Sequence, residues 1–324
     1  MKKKIILDVD TGSDDAIAIM LAGLSEELDL LGVSTVNGNR SIDITTTNTL
    51  RLVDHIGLDI PVYRGCHLPM VASLAPDRRK NVPFTGPEAK EEDVHGDYLP
   101  LPETDRKEEE EHAVLWLIRM LTETEDKITL VFVGPLTNLA MALRISPQIV
   151  EKIDEIVIMG GGYQINNVTA GAEFNFWIDP EAAKIVTDCG APMRIVPLDA
   201  THDAYISWAD SEEMLAEPSR ASVFCGKLMQ QRISGYNLFQ PLPIHNTAPI
   251  HDALAVAALI DPEVLQDIHE VNMDVCISQG IADGMSLFDF EKRNRSRHPN
   301  VHVALKSDRE RFVRLLKEKL KNSI

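Results

Sequence analysis

The sequence predicts an α/β fold in which a mainly parallel sheet is covered by helices on both faces. Short apolar runs of strand length alternate with longer stretches of helical length along almost the whole chain of 324 residues. The run at residues 128–133 is almost wholly apolar and residues 153–159 repeat it, which is typical of strands buried on both faces. Such alternation favours parallel strands joined by crossover helices. We therefore expect residues 1–324 to form a single-domain, Rossmann-like sheet.

Composition and charge exclude several classes of function. A hydrophobic content of 44% is ample for a large core, and no apolar run approaches the length of a membrane span. The chain begins without the hydrophobic region of a signal peptide, so we expect a cytoplasmic protein with no membrane partner. A formal net charge of −18 argues against a nucleic-acid polymer as partner and favours a neutral small molecule. The four cysteines have no paired spacing, which predicts reduced, buried thiols.

The first strand and the helix after it carry the most informative motif. An apolar strand ends in Asp10, passes through Thr11-Gly12 and reopens as an apolar helix, with Ser13 as its predicted cap. Such a turn lies at the carboxyl end of a strand, where open α/β sheets bind their ligands. The stretch holds four carboxylates within eight residues, namely Asp8, Asp10, Asp14 and Asp15.

These four carboxylates predict a bound cation. Like charges about 4 Å apart repel by roughly 4 kcal/mol near a protein surface, and a cation removes that repulsion. Asp10 and Asp15 are the expected ligands, and carboxylate oxygen without nearby cysteine or histidine favours Ca²⁺ or Mg²⁺. Asp14 projects differently from its neighbour and is expected to hold something else.

The same four acids also fit two roles that need no such site. Asp14 and Asp15 are favourable charges for a first helical turn, and Asp8 and Asp10 fit solvated loop acids. The order Asp8-Val9-Asp10 also resembles the first-strand motif of haloacid dehalogenase type phosphatases. Thr11 follows the second acid directly and Gly12 comes next, which departs from that motif.

Further polar residues follow later strands. A second strand at residues 28–36 leads into the turn that contains Asn39, before a helix at 42–56 and a short strand at 60–63. Residues 65–106 are irregular and contain His95, which fits either a loop acid or a surface histidine. A helix at 108–122 with an acidic first turn precedes the strand at 128–133. The main-chain carbonyl of Val133, at its end, is a suitable Ca²⁺ ligand.

The strand at 153–159 is followed by a glycine triplet and a polar loop. Asn167, Glu173 and Asn175 are interleaved with aromatic residues there, a pattern that suits a polyhydroxyl ligand as well as an ordinary loop. A strand at 193–198 and helices at 207–236 follow. His251-Asp252 then opens an apolar helix, so Asp252 is a further candidate metal ligand and His251 either a proton donor or a cap. Strands at 271–277, 285–290 and 301–305 and a helix at 308–321 complete the pattern.

Together these motifs resemble the inosine-uridine preferring nucleoside hydrolases. The resemblance rests on residues 8–16 and on five later motifs in the family's order, which are Gly38-Asn39, Gly134-Pro135-Leu136-Thr137-Asn138, Met159-Gly160-Gly161, Glu173-Phe174-Asn175 and His251-Asp252. It implies the nucleoside hydrolase fold and hydrolysis of the N-glycosidic bond of ribonucleosides such as inosine, uridine or cytidine. The products would be ribose and a free base, which serve nucleoside salvage. The resemblance further implies that the metal is Ca²⁺ and that the protein is a homodimer or a homotetramer.

The resemblance also implies roles for individual residues. The metal ligands would be Asp10, Asp15, the Val133 carbonyl and Asp252. Asp10 would also accept the proton of the attacking water, His251 would protonate the leaving base, and His95 matches a loop histidine of pyrimidine-selective relatives. The ribose would contact Asp14, Asn39, Met159, Asn167, Glu173 and Asn175.

Two departures and two alternatives accompany this interpretation. Val133 replaces a threonine common in the family, which a main-chain ligand tolerates, and the segment 236–249, which shapes the base pocket, is longer and richer in proline. A haloacid dehalogenase type phosphatase would leave the Glu-Phe-Asn and His-Asp motifs without a use. A non-catalytic nucleoside or sugar binder would have no need for Asp10 beside a metal.

Overall fold

The computed structural model describes residues 2–78, 98–239, 242–294 and 296–323. The strands within these ranges are β1 (Lys3–Val9), β2 (Leu28–Thr35), β3 (Val62–Arg64), β4 (Ile128–Phe132), β5 (Ile153–Met159), β6 (Met193–Val196), β7 (Tyr205–Ser207), β8 (Thr247–Pro249), β9 (Leu265–Val275), β10 (Ser286–Asp289) and β11 (Val301–Ser307). The α-helices are α1 (Ser13–Leu24), α2 (Ile42–Ile56), α3 (Ala113–Glu123), α4 (Thr137–Ile145), α5 (Phe174–Ile178), α6 (Pro180–Thr187), α7 (Leu198–Thr201), α8 (Trp208–Ala216), α9 (Arg220–Phe239), α10 (His251–Ile260) and α11 (Arg309–Leu320).

Within the described ranges, nine strands form one sheet in the order β10-β9-β11-β6-β5-β4-β1-β2-β3. Every neighbouring pair from β11–β6 through to β2–β3 is parallel. Strand β9 pairs antiparallel with both β11 and β10. The predicted mainly parallel sheet is therefore confirmed. Strands β7 and β8 form a separate antiparallel pair that was not predicted from the sequence.

Helices cover both faces of the sheet, as predicted, because side chains of each strand alternate between two cores. Leu7 and Val9 of β1 face a core with α1, α2, α9, α10 and α11, whereas Ile6 faces a second core with α3, α4 and α6. Helices α1 and α10 are apolar nearly all round and pack against each other. This buried pair brings the amino ends of both helices to one place at the edge of the sheet.

Two predicted helix starts are wrong. The acidic residues at 108–111 precede α3, which begins only at Ala113, because Glu109 donates its N–H to the Val62 carbonyl beside β3. The His112 side chain then accepts the Val114 N–H as the cap of α3. Ser13 was the predicted cap of α1, but Gly12 occupies that position and Ser13 is the first helical residue.

Two general properties accompany the fold. No helix in the described part of the chain has the length and apolar character needed to cross a bilayer. All four cysteines are free thiols; Cys225 is buried and the other three are half-buried. The predicted burial holds for Cys225 alone.

Candidate active site

Several of the predicted site residues lie where the strand order reverses. After β1 the chain builds β2 and β3 on one side and later β4, β5 and β6 on the other, so β1 lies between β4 and β2. Asp10 directly follows β1, Asn39 lies in the turn after β2, and Val133 directly follows β4. Because the carboxyl ends of parallel strands meet at one edge, these residues converge at the place where open α/β sheets bind ligands.

Asp15 organises the turn between β1 and α1. Its two carboxylate oxygens accept the main-chain N–H groups of Asp10 at 3.0 Å and Gly12 at 2.8 Å. The carboxylate of Asp10 accepts the Asn39 N–H at 2.6 Å, and the Asn39 amide donates to Asp15 at 3.3 Å. The helix N-terminus thus holds Asp15 through backbone donors, as its dipole favours. Asp10 and Asp15 are consequently fixed side by side.

Two glycines make room for Asp10. A Cβ at Gly38 would overlap its Oδ2 atom, and a Cβ at Gly134 would lie 2.8 Å from its Oδ1 atom. The Asp10 side chain therefore fills a slot between the turns after β2 and β4, and any larger residue at either position would displace it.

Carboxylate oxygens from two helix starts meet beside Asp10. Oxygen atoms of Asp14, Asp15 and Asp252 lie within 4.8 Å of one another, and all three residues are buried. Asp14 and Asp15 come from the first turn of α1 and Asp252 from the first turn of α10. This oxygen-only donor set fits a hard cation such as Ca²⁺ or Mg²⁺. Asp10, Asp15 and Asp252 were expected here from the sequence, and Asp14 joins them.

Burial and mutual repulsion raise the pKa values of the clustered carboxylates. Burial and then the charge of Asp15 raise the pKa of Asp10 well above its ordinary value. Burial followed by the charges of Asp14 and Asp15 raises the pKa of Asp252 in the same way. Burial, with the charge of Asp14, raises the pKa of Asp15 to about 6. A bound cation would restore all three to the ionised form.

Arg232 is a site residue that was not predicted from the sequence. Its buried guanidinium, on α9, binds the Asp14 carboxylate through Nη2 at 3.0 Å and Nη1 at 3.3 Å. Nη1 also donates to the Ser13 hydroxyl at 2.8 Å, and Nε donates to the Pro249 carbonyl at 3.0 Å. The sequence holds a signal for it, because Arg232 shares a face of α9 with the buried Leu228 and Tyr236, where a lone charge requires a partner.

Asn175 links two strand ends. Its amide donates to the Val133 carbonyl at 2.8 Å and to the Met159 carbonyl at 3.1 Å, so the predicted main-chain metal ligand already accepts one hydrogen bond. Glu173 caps α5, and its carboxylate accepts the N–H groups of Gly161 and Asn175, both at 2.9 Å. Burial raises the pKa of Glu173 to about 7. The Oδ1 atom of Asn167 accepts the Phe174 N–H at 3.0 Å, which ties this loop to the start of α5.

His251 is buried at the start of α10, next to the acidic cluster. Its Nδ1 atom lies 2.7 Å from the Thr201 hydroxyl, and its Nε2 atom lies 3.5 Å from the Tyr236 hydroxyl. The Thr201 hydroxyl is also 3.4 Å from the Leu198 carbonyl, to which it donates. The two hydroxyls therefore hold the imidazole at both of its ring nitrogens. His95, the other candidate acid, lies outside the described residues.

Asp8 lies apart from this cluster. Its carboxylate is fully buried and accepts hydrogen bonds from the Ser34 hydroxyl and, at 2.7 Å, from the Asn138 amide. Burial raises its pKa to about 7. A phosphatase of the haloacid dehalogenase type would use the first acid of the motif as its nucleophile, and this enclosed position argues against that role.

Known proteins match the chain over nearly its full length. The family model described as inosine-uridine preferring nucleoside hydrolase matches residues 5–314. The pyrimidine-specific ribonucleoside hydrolase RihB of Escherichia coli O157:H7 is 35% identical over 326 residues, covering 98% of this chain and 96% of its own. The inosine-uridine preferring nucleoside hydrolase of Crithidia fasciculata is 36% identical over 322 residues, covering 99% of this chain and 98% of its own.

Solved structures give the same result. The plant nucleoside hydrolase PpNRh1 superimposes with a TM-score of 0.87 at 31% identity, covering 99% of both chains. The purine-preferring ribonucleoside hydrolase from Gardnerella vaginalis superimposes with a TM-score of 0.85 at 28% identity, covering 98% of both chains. These matches confirm the predicted fold and the resemblance inferred from the motifs. The chain belongs to the inosine-uridine preferring nucleoside hydrolase family.

Proposed function

We propose that this protein hydrolyses the N-glycosidic bond of ribonucleosides to ribose and a free base, as the names of its relatives indicate for them. The observation that carries the proposal is the convergence of Asp14, Asp15 and Asp252 oxygens within 4.8 Å, beside Asp10. Breaking a ribosyl bond passes through a positively charged, oxocarbenium-like state. Buried carboxylates at the sheet edge suit the stabilisation of such a charge.

Ca²⁺ is the metal we propose for this site. Asp10, Asp15, the Val133 carbonyl and Asp252 would hold it, because all are oxygen donors at the same sheet edge. When bound, the ion supplies positive charge that polarises water and the ribose hydroxyls. Chelation followed by restoration with Ca²⁺ or Mg²⁺ measures which ion supports turnover.

Asp10 is the proposed base. Its place between Gly38 and Gly134 fixes one carboxylate oxygen toward each of the two neighbouring strand ends. In the proposed reaction Asp10 takes a proton from water, the water oxygen forms a bond to the anomeric carbon, and the N-glycosidic bond breaks. The electron pair of that bond leaves with the base.

The ribose contacts are proposed for a group of polar residues around this centre. Donors and acceptors on the ribose hydroxyls bind more strongly as the ring flattens, which selects ribose over deoxyribose. Asp14 and Asn39 are anchored at the ends of β1 and β2, and Asn175 is anchored at the ends of β4 and β5. The proposed set is Asp14, Asn39, Met159, Asn167, Glu173 and Asn175.

His251 is the proposed donor of a proton to the leaving base. Its contact with Thr201 orients the ring, and His251 precedes Asp252 at the start of α10, so the donor and a metal ligand come from one helical turn. Histidine is the side chain most often used for proton transfer near neutral pH.

Ribose release from inosine, adenosine, uridine and cytidine tests the proposal. We expect turnover of at least one of them, and loss of turnover in Asp10→Asn with the fold retained. Asp29→Asn, at an exposed position on β2, is the matched control. Phosphate release from sugar phosphates, or nucleoside binding without ribose release, would contradict the proposal.

The same proposal treats residues 1–324 as one domain that assembles as a homodimer or homotetramer. The continuous sheet from β10 to β3 supports the single domain, because strands from both halves of the chain pair within it. Sedimentation equilibrium measures the assembly, and a monomer at assay concentrations would contradict that part.

A further inference from the structure

A buried arginine binds one acid of the cluster and leaves the others to a cation. Arg232 is 2% exposed, and its two terminal nitrogens each bind one oxygen of Asp14. Its remaining contacts, the Ser13 hydroxyl and the Pro249 carbonyl, lie at the start of α1 and just before α10. The guanidinium is therefore fixed between the two helix starts that supply the acidic residues.

Asp14 is close enough to the other acids to be a metal ligand itself. One of its carboxylate oxygens lies within 4.8 Å of oxygens of Asp15 and Asp252. Carboxylate oxygens at that spacing can coordinate the same divalent cation. Whether Asp14 joins the ligands of the ion or contacts the substrate depends on what else holds its carboxylate.

We propose that Arg232 is a positioning residue that keeps Asp14 out of the ligand set of the cation and directs it to the ribose. This role presupposes the proposed function. A planar guanidinium that binds both oxygens of a carboxylate fixes its orientation, which a lysine, with one point of contact, does not.

The charge count predicts an effect on the metal. Asp10, Asp14, Asp15 and Asp252 carry four negative charges when ionised, and Arg232 neutralises that of Asp14. Removing the guanidinium frees Asp14 to bind the ion and increases the negative charge around it. The affinity for the cation therefore rises while the ribose loses a contact, and these two effects have opposite consequences for the enzyme.

The test compares Arg232→Met with Arg194→Met. Arg194 is a matched control, because it pairs with Glu155 at 2.9 Å and donates to the Ala258 carbonyl at 3.3 Å, near the amino ends of β5 and β6. Calorimetric titration of chelator-treated protein with Ca²⁺ gives the dissociation constant, and ribose release gives kcat and KM. For Arg232→Met we expect the dissociation constant for Ca²⁺ to fall about tenfold and the KM for nucleoside to rise about tenfold. Arg194→Met should change neither.

Two further variants separate positioning from simple damage. Arg232→Lys keeps the charge with a single contact, so it should shift both quantities in the same directions by less. In an Asp14→Asn background, Arg232→Met should leave the Ca²⁺ affinity unchanged, because the acid that it frees is gone. If Arg232→Met does not fold, Arg232→Lys decides the question by the same two measurements.

The outcomes distinguish this role from the proposed function. Wild-type protein that releases no ribose from any nucleoside would refute the proposed function itself. Wild-type protein that releases ribose and binds Ca²⁺, with arginine variants that weaken both metal and substrate binding, would overturn only the positioning role. Tighter Ca²⁺ binding together with a raised KM supports it.

Discussion

In the absence of divalent cations, the free energy of unfolding of this protein should decrease as the pH rises. Without a cation, burial and mutual repulsion raise the pKa values of Asp10, Asp15 and Asp252 above their ordinary values. For Asp15, the folded chain then keeps, between about pH 4 and about pH 6, a proton that the unfolded chain has already released. Raising the pH through this window favours the unfolded state, which is the reverse of the usual behaviour of an ion-paired carboxylate.

Asp15 gives the size of this effect. Raising its pKa from 3.8 to about 6 lowers the free energy of unfolding above that window by about 3 kcal/mol. Asp10 and Asp252 contribute with the same sign. Asp8, whose pKa is raised to about 7 outside the cluster, adds a further loss that a cation at the cluster does not remove.

Equilibrium urea unfolding at about pH 5 and about pH 8, with chelator or with Ca²⁺, measures the effect. We expect Ca²⁺ to stabilise the protein more at the higher pH, since it then binds ionised carboxylates without displacing protons. The difference in the free energy of unfolding between the chelator series and the Ca²⁺ series reports on the cluster and not on Asp8. Asp15→Asn should reduce that difference. A chelated protein that is equally or more stable at the higher pH would refute the reasoning.

Three substitutions test the positions of individual groups. His251→Ala should lose about a hundredfold or more in kcat on uridine and far less on a nitrophenyl riboside, whose leaving group needs no proton; equal losses would exclude the proton-donor role. Thr201→Val should show the same substrate dependence with a smaller loss in kcat, of about tenfold, because the Thr201 hydroxyl only orients the His251 ring. An unchanged kcat would mean that this hydroxyl does not orient the ring. Gly38→Ala should lower kcat about a hundredfold by displacing Asp10, as ribose release will show, and near-normal turnover would mean that the slot adapts.

The elements that sequence patterns predict well are those whose signal is local. The helix at 42–56 and the strand at 153–159 match α2 and β5 residue for residue. A helical period of apolar residues marks the first, and a mainly apolar run that ends at a glycine triplet marks the second. The strand-end positions of Asp10, Asn39 and Val133 also follow from local pattern. Helix α3 was predicted five residues too early, since an acidic run favours a helix start until another strand competes for its backbone groups.

The order of residues along the chain is enough to predict which chemical groups collect at the carboxyl edge of the sheet. A parallel sheet brings every such strand end to one side, so acids and amides after β1, β2 and β4 must meet there whatever the details of packing. The local order of residues also places acids in the first turns of α1 and α10.

Which of these acids share a partner depends instead on how distant helices pack together. Arg232 and Asp14 are separated by 218 positions along the chain, and their contact exists because α9 packs beside the amino ends of α1 and α10. The approach of Asp252 to Asp15 likewise depends on the packing of α1 against α10. Contacts over such separations result from the shapes of many side chains together, so no local pattern in the sequence specifies them.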